Sequence, residues 1–415
     1  MTITEAEPVL GSGLTAPAVR RPRRRLPSHA AFAGSAAAFA ALYVAAGAPA
    51  PLLVVFEQHW HFLAWVLTVA FAAYAIGLLT ALLVTGSLSD HIGRRPILIG
   101  SLLVELASMV MFAVAPNIGW VIAARTIQGI ATGAATSAFS ASVVEHAPER
   151  HKRLGTVVTS VAPAGGLGLG ALLTGAAVQV SSRAGLIVFT TLAVIMAAGT
   201  AIEVFSHETA PGKPGAARSL IPRVSVPTAA RREFMAAVPV HMAAWMLAGL
   251  FMGLVPTIIE NILHLHSGLL NGATAFVEPA AAAAAGLFLG RLSARRTILI
   301  GAASVLLGTA VIEAGVAAGA LALLWLGGII GGVGFGASFS GAIRQIAPLA
   351  EPHQRAGLFA SVYVVAYLSF GIPAVIAGLL IAPVGLLATV LGYGVAILAV
   401  AILGLFAQRR IEPIH

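Results

Sequence analysis

Long apolar runs separated by short polar connections fill most of the chain, and the length of those runs is what first limits the fold. Apolar segments fall at about 31–55, 62–85, 96–115, 119–144, 155–179, 184–204, 234–258, 269–290, 297–316, 319–343, 356–382 and 384–407. Each is close to the ~20 residues with which a helix crosses a hydrocarbon layer of ~30 Å at ~1.5 Å per residue. Lipid admits only helices and closed barrels, since it offers the backbone no hydrogen-bond partner. The runs lack the polar alternation of barrel strands, so the pattern predicts an all-α polytopic membrane protein of about twelve transmembrane helices. One connection is long: residues 205–233 carry Pro211, Pro214, Pro222 and Pro227 with Lys213, Arg218, Arg223, Arg231 and Arg232, and divide the segments six and six. The predicted organisation is a basic tail (1–29), a six-helix bundle (30–204), a linker (205–233), a second six-helix bundle (234–407) and a short tail (408–415).

Composition agrees and adds orientation. The chain is 59% hydrophobic and 9% charged, against roughly 25% charged residues in a soluble domain. Its net charge of +9 would suit nucleic acid, but the placement of the charges argues otherwise. Lys and Arg sit in the N-terminal run Arg20, Arg21, Arg23, Arg24 and Arg25, in the loops after segments two, four, six, eight and ten, and at Arg409 and Arg410, while the other side carries only Arg183. Both termini and the even loops are therefore expected in the cytoplasm, in a multi-pass protein of the cell inner (plasma) membrane. The strip Arg94, Arg95, Arg150, Lys152, Arg153, Arg295, Arg296 and Arg355 reads as anchoring to lipid headgroups, with no nucleic-acid partner. The first apolar run is too long for a cleaved signal peptide and predicts a retained helix. Cysteine is absent. No nucleotide loop or catalytic triad is present, so neither an enzyme nor a cofactor is expected.

An internal repeat supports the division. Arg94-Arg95-Pro96-Ile97-Leu98-Ile99-Gly100 matches Arg295-Arg296-Thr297-Ile298-Leu299-Ile300-Gly301, and Gly86-Ser87-Leu88-Ser89 matches Gly290-Arg291-Leu292-Ser293. After segments four and ten, Glu145-His146-Ala147-Pro148 parallels Gln345-Ile346-Ala347-Pro348. Two parallel six-helix halves follow, with a path enclosed between them.

The loop after segment two, Gly86-Ser87-Leu88-Ser89-Asp90-His91-Ile92-Gly93-Arg94-Arg95, combines glycines for tight turns with Asp90, which can cap a helix or pair with Arg94. It resembles the motif between the second and third helices of the major facilitator superfamily. That resemblance implies a latch that locks the cytoplasmic gate in the outward-facing state, with Glu145 in the same charge cluster. The alternative is a tight positively charged turn. The copy at Gly290 lacks the acid, which predicts a weaker latch in the second half.

Segment four holds Arg125-Thr126-Ile127-Gln128-Gly129. An arginine at that depth is costly and is expected to face the bundle interior with a partner, unless it snorkels to the outer interface near Trp120. It resembles the superfamily's fourth-helix motif, which implies a role in proton transfer or helix positioning. Segment five contains Pro163, Gly165, Gly166 and Gly170, small residues at helical spacing that let helices approach. The stretch is similar to the fifth-helix motif of antiporter-type exporters, although Ala162 precedes the proline and one residue separates Pro163 from the glycine pair.

Glu105, Glu278 and Glu313 lie inside predicted helices. Loss of water favours the neutral carboxyl, so a mid-membrane glutamate can hold and release a proton near neutral pH. The superfamily's arrangement of cavity-lining helices favours Glu278 as the proton-coupling group, with Arg125 and Glu105 joining it or forming an ion pair of their own. His241 and Trp245 are one turn apart, and with Tyr43, Gln128, Phe339, Tyr363 and Tyr367 they are candidates for the substrate cavity, the alternative being ordinary packing. Glu57, His59 and His61 with Glu260, His264 and His266 lie in outer loops and read as interfacial residues, with no metal site expected. The combined expectation is a monomeric, proton-coupled exporter of small, partly hydrophobic molecules, working by alternating access, with protons and membrane lipid as its other partners. An importer of the same fold and a non-transporting receptor are the alternatives.

Overall fold

The computed structural model describes residues 26–410, apart from 64, 149–151, 211 and 352 and the side chain of Arg218. The basic run at Arg20 to Arg25, Arg150 and Pro211 lie outside the described residues. The chain is helical almost throughout. The first half comprises α1 (Ser28–Gly47), α2 (Pro49–Trp60), α3 (Trp65–Thr85), α4 (Ser89–Ile92), α5 (Arg94–Ala113), α6 (Ile118–His146), α7 (Lys152–Val180) and α8 (Ala184–Phe205). A short α9 (Ala216–Ser219) lies in the linker. The second half comprises α10 (Arg231–Gly253), α11 (Val255–Asn261), α12 (Gly268–Phe288), α13 (Ala294–Ala317), α14 (Leu321–Ile346), α15 (Arg355–Val384) and α16 (Leu386–Arg409).

The first crossing is α1 with α2 and the seventh is α10 with α11, so twelve crossings result and both described ends of the chain emerge on one face, here the terminal face. Each of these two crossings is broken after a glycine and just ahead of a proline, at Gly47-Ala48-Pro49 and Gly253-Leu254-Val255-Pro256, where the missing proline amide interrupts the ladder. The two second pieces end alike. His61 and His264 both adopt left-handed backbone, at φ 52° and 54°. Eleven of the described crossings are apolar and long enough to span a membrane by composition alone. The other is α6, whose hydropathy is lowered by Arg125, Gln128, Thr132 and Ser142, all turned into the protein interior. Leu103, Leu173, Val194 and Leu403 stand exposed on the outer surface, as a lipid-facing belt requires.

Pairs of helices are joined through bare backbone. Gly129 and Gly133 of α6 lie against the carbonyls of Tyr74 and Leu78 on α3, and Gly332 and Gly336 of α14 lie against those of Glu278 and Ala282 on α12. None of the four positions has room for a Cβ. The halves meet where α3 packs on α15 and α7 on α12.

Candidate functional site

A cavity of about 410 Å³ lies between the halves, within the usual range for a small-molecule site. Leu82, Ser140, Thr159, Gly286 and Arg344 line it near the terminal-face ends of their helices, and Phe71, Arg125, Met252 and Phe370 line its deeper part. At the opposite face the halves are tied together. Gln58 donates its side-chain amide to Glu260 Oε1, and Ser267 donates its hydroxyl to Gln179 Oε1 at 2.9 Å. Access is thus from the terminal face.

The first-half wall is built around Arg125, which is 2% exposed. Its guanidinium donates to Gln128 Oε1 at 2.6 Å and to the Ala46 carbonyl at 3.0 Å, the latter one of the carbonyls at the break between α1 and α2. It also stacks over Tyr74, 4.4 Å from the ring centre. The Gln128 amide donates in turn to Glu105 Oε1 at 3.2 Å and to the Ala45 carbonyl at 2.9 Å. The expected ion pair of Arg125 with Glu105 is therefore absent as a direct contact: Gln128 relays between them. Nor does Arg125 snorkel, because Gln128, Ala46 and Tyr74 hold it inward. Toward the mouth, the hydroxyls of Thr132, Thr136 and Ser140 each bond back to a carbonyl one turn earlier, and the Tyr43 hydroxyl lies 2.9 Å from that of Thr136.

The second-half wall is aromatic, with one acid. Trp245 contacts Phe335, Tyr367 and Phe370 with ring centres 5.1, 5.0 and 6.1 Å away, and Tyr363 stacks on Tyr367 at 6.3 Å. Glu278 and Pro279 of α12 face the same space. Glu278 is 2% exposed, and its Oε1 has no hydrogen-bond partner among the described residues. His241 does not reach the cavity. It stacks behind Phe339 at 5.7 Å, buried between helices.

At the terminal face a charged cluster surrounds the loop after α3. Arg94 donates to Glu145 Oε1 at 2.7 Å and lies 3.6 Å from Asp90, whose side chain is 56% exposed. The N-terminus of α5 is capped by Glu208 of the linker, which accepts from the amides of Arg94 at 2.9 Å and Arg95 at 3.1 Å. Arg95 returns the favour to the end of α8, donating to the carbonyls of Glu203, at 2.9 Å, and Val204. In the second half Arg344 of α14 binds the carbonyls of Gly290 and Leu292 at 3.0 and 2.8 Å and the Thr297 hydroxyl at 2.7 Å.

The sequence profile of the Major Facilitator Superfamily matches residues 31–312, more than half of the chain. The chain belongs to that superfamily. Solved superfamily-like structures overlay nearly all of it. The human organic anion transporter MFSD10 (TETRAN) matches with a TM-score of 0.65 at 17% identity, over 92% of this chain and 100% of its own. A POT family transporter crystallised with a thioalcohol conjugated peptide matches with a TM-score of 0.73 at 14% identity, and one with 5-aminolevulinic acid with 0.73 at 13%; each covers 93% of this chain and 96% of the other. Identities this low establish the shared fold alone. A search among curated proteins returns no match.

Against the superfamily pattern, several sequence expectations shift. Asp90 caps no helix; Glu208, which no local pattern singles out, does so. The second-half copy without an acid is held by Arg344 reaching back from α14, next to the Gln345 that the repeat had matched with Glu145. Gln128 lies behind the cavity wall as a bridge and does not face the cavity, and the same is true of Glu105. Of the fifth-helix residues, Gly166 and Gly170 press α7 onto α1, Gly165 lies near Ala283 of α12, and Pro163 faces the cavity. Tyr43, Trp245, Phe339, Tyr363 and Tyr367 line the cavity together with Arg125 and Glu278.

Proposed function

We propose that this superfamily member is a proton-coupled secondary transporter that exports small, partly hydrophobic molecules from the cytoplasm across the plasma membrane by alternating access. The distribution of Lys and Arg supports a cytoplasmic terminal face, so the cavity as described opens inward. The carrying observation is Glu278. A carboxyl group with an unpartnered oxygen, set in an aromatic wall between two halves, can exchange its proton for a ligand each time the cavity changes sides. Arg125 on the other wall, with Glu105 behind it and joined to it through Gln128, forms a second-rank proton site. The cluster of Gly86, Asp90, Gly93, Arg94, Arg95 and Glu145 serves as the gate latch, and in this inward-open arrangement its pairs stay within the first half.

Purified protein in liposomes with an imposed pH gradient tests the reading. Movement of an apolar solute against its gradient, in exchange for protons, is the expected result. Movement with the proton makes the protein an importer, and no movement across a broad solute panel makes it a receptor.

A further inference from the structure

The linker is fastened to both halves, at the two elements that flank the mouth of the cavity. On the first half, Glu208 caps α5 through the amides of Arg94 and Arg95, the Lys213 amide donates to the His91 carbonyl at 2.7 Å, and Ser87 donates its hydroxyl to the Ser219 carbonyl at 3.1 Å. All of these contacts are to the loop after α3 or the start of α5. On the second half, the Ser225 amide donates to the Gly357 carbonyl at 3.2 Å, and Gly357 in the first turn of α15 lies directly against Ser225. Val226 and Ala230 then join the apolar cluster of Phe234, Ile346, Leu358 and Val362.

Between the anchors the chain touches little. Residues 220–224 are exposed without a break, and Leu220, Ile221 and Val224, side chains that would bury themselves given a surface, are 40%, 64% and 50% exposed. Six peptide steps separate Ser219 from Ser225, and a chain extends by at most ~3.6 Å per step, so the anchors cannot part by more than about 22 Å while both hold. Pro222 lies mid-way and removes part of the residual slack.

From this we infer that residues 220–224 form a strap of fixed length that sets how far the loop after α3 and the start of α15 can separate, and so how wide the cavity opens at the terminal face. The inference depends on the halves moving against each other, as proposed above, and is independent of the proton and of the direction of transport. A ligand-free limit of this kind stops the halves from gaping while they stay tied together at the opposite face.

The protein has no cysteine, so Ile92→Cys and His353→Cys, both at exposed positions, supply a single pair of spin-label sites across the mouth. Distance distributions are compared for the otherwise native chain, for a chain with ten Gly/Ser residues inserted between Ile221 and Pro222, and for Glu208→Ala, which loosens the first-half anchor. Melting of each variant reports its folding. The insertion adds about 33 Å of reach, and the expected result is a long-distance edge displaced outward in the insertion and, to a smaller extent, in Glu208→Ala. A broad native distribution whose upper edge stays put in both variants overturns the strap while leaving the moving halves intact. One narrow distance shared by all three overturns the motion itself, and the strap with it.

Discussion

Arg125 and Glu105 sit on adjacent helices and never touch: each is bonded to the opposite end of the Gln128 amide, at 2.6 and 3.2 Å. A neutral side chain thus connects two groups that are 2% and 0% exposed. Such an arrangement spreads the charge over a polar network in place of one contact, and every member needs the others for its hydrogen bonds.

Gln128→Ala removes the connection and leaves both ionisable groups short of a partner. The expected loss is about 1–3 kcal/mol for each stranded group, read as a lower melting temperature of the detergent-solubilised protein. A variant melting with the native chain would show that the relay carries no stability.

Glu278→Gln keeps the size and most of the hydrogen bonding of the side chain but cannot release a proton. Transport driven by a pH gradient should vanish, while ligand binding to the detergent-solubilised variant, followed by quenching of Trp245 fluorescence, should persist. Full proton-driven transport by the variant would remove Glu278 from the coupling role.

Asp90→Asn should matter little to the arrangement open at the terminal face, where its exposed 3.6 Å pair with Arg94 is of the kind worth about 0–1 kcal/mol. If Asp90 stabilises the alternative state, the same change shifts the population toward the form open at the terminal face, up to roughly fivefold for 1 kcal/mol. Distances across the terminal face measure this. An unaltered distribution would leave the loop with a topological role only.

Gly170 and Gly100 make a controlled pair. A Cβ at Gly170 would run into the backbone of Val44 and Ala48 on the first crossing, whereas at Gly100 it meets nothing within 4 Å. Gly170→Val is expected to cost at least the ~1–3 kcal/mol typical of overpacking, and Gly100→Ala to leave melting unchanged. Equal melting of the two variants would contradict the close approach of α7 to the first crossing.

Much of this architecture was legible in the sequence, because lipid imposes one requirement on every residue of a crossing. Apolar runs therefore mark all twelve crossings, and the matched Gly86 and Gly290 place Tyr74 opposite Glu278 in the two halves. Arg125 announced itself by cost alone. The rest depends on contacts between distant parts of the chain. Glu208 sits in a polar linker where an acid is unremarkable, and only the folded chain brings it to the start of α5. Arg344 looked like one more positively charged residue at a helix end. His241 had the right spacing from Trp245 for a shared face, but Phe339 stands between it and the cavity. The breaks in the first and seventh crossings had a visible signal in Pro49, Pro51 and Pro256, which a reading of apolar length alone passes over.

The backbone contacts at Gly129, Gly133, Gly332 and Gly336 also bear on the role proposed for Glu278. Carbonyls seated on α-carbons leave no compressible layer of side chains between α12 and α14, so Glu278 is carried as cargo on a stiff two-helix plank. In the alternating-access cycle proposed above, its neighbours on that plank would move with it. If Glu278 couples protons as proposed, the compartment that exchanges a proton with it would be set by where the opposite plank, bearing Tyr74 and Arg125, stands.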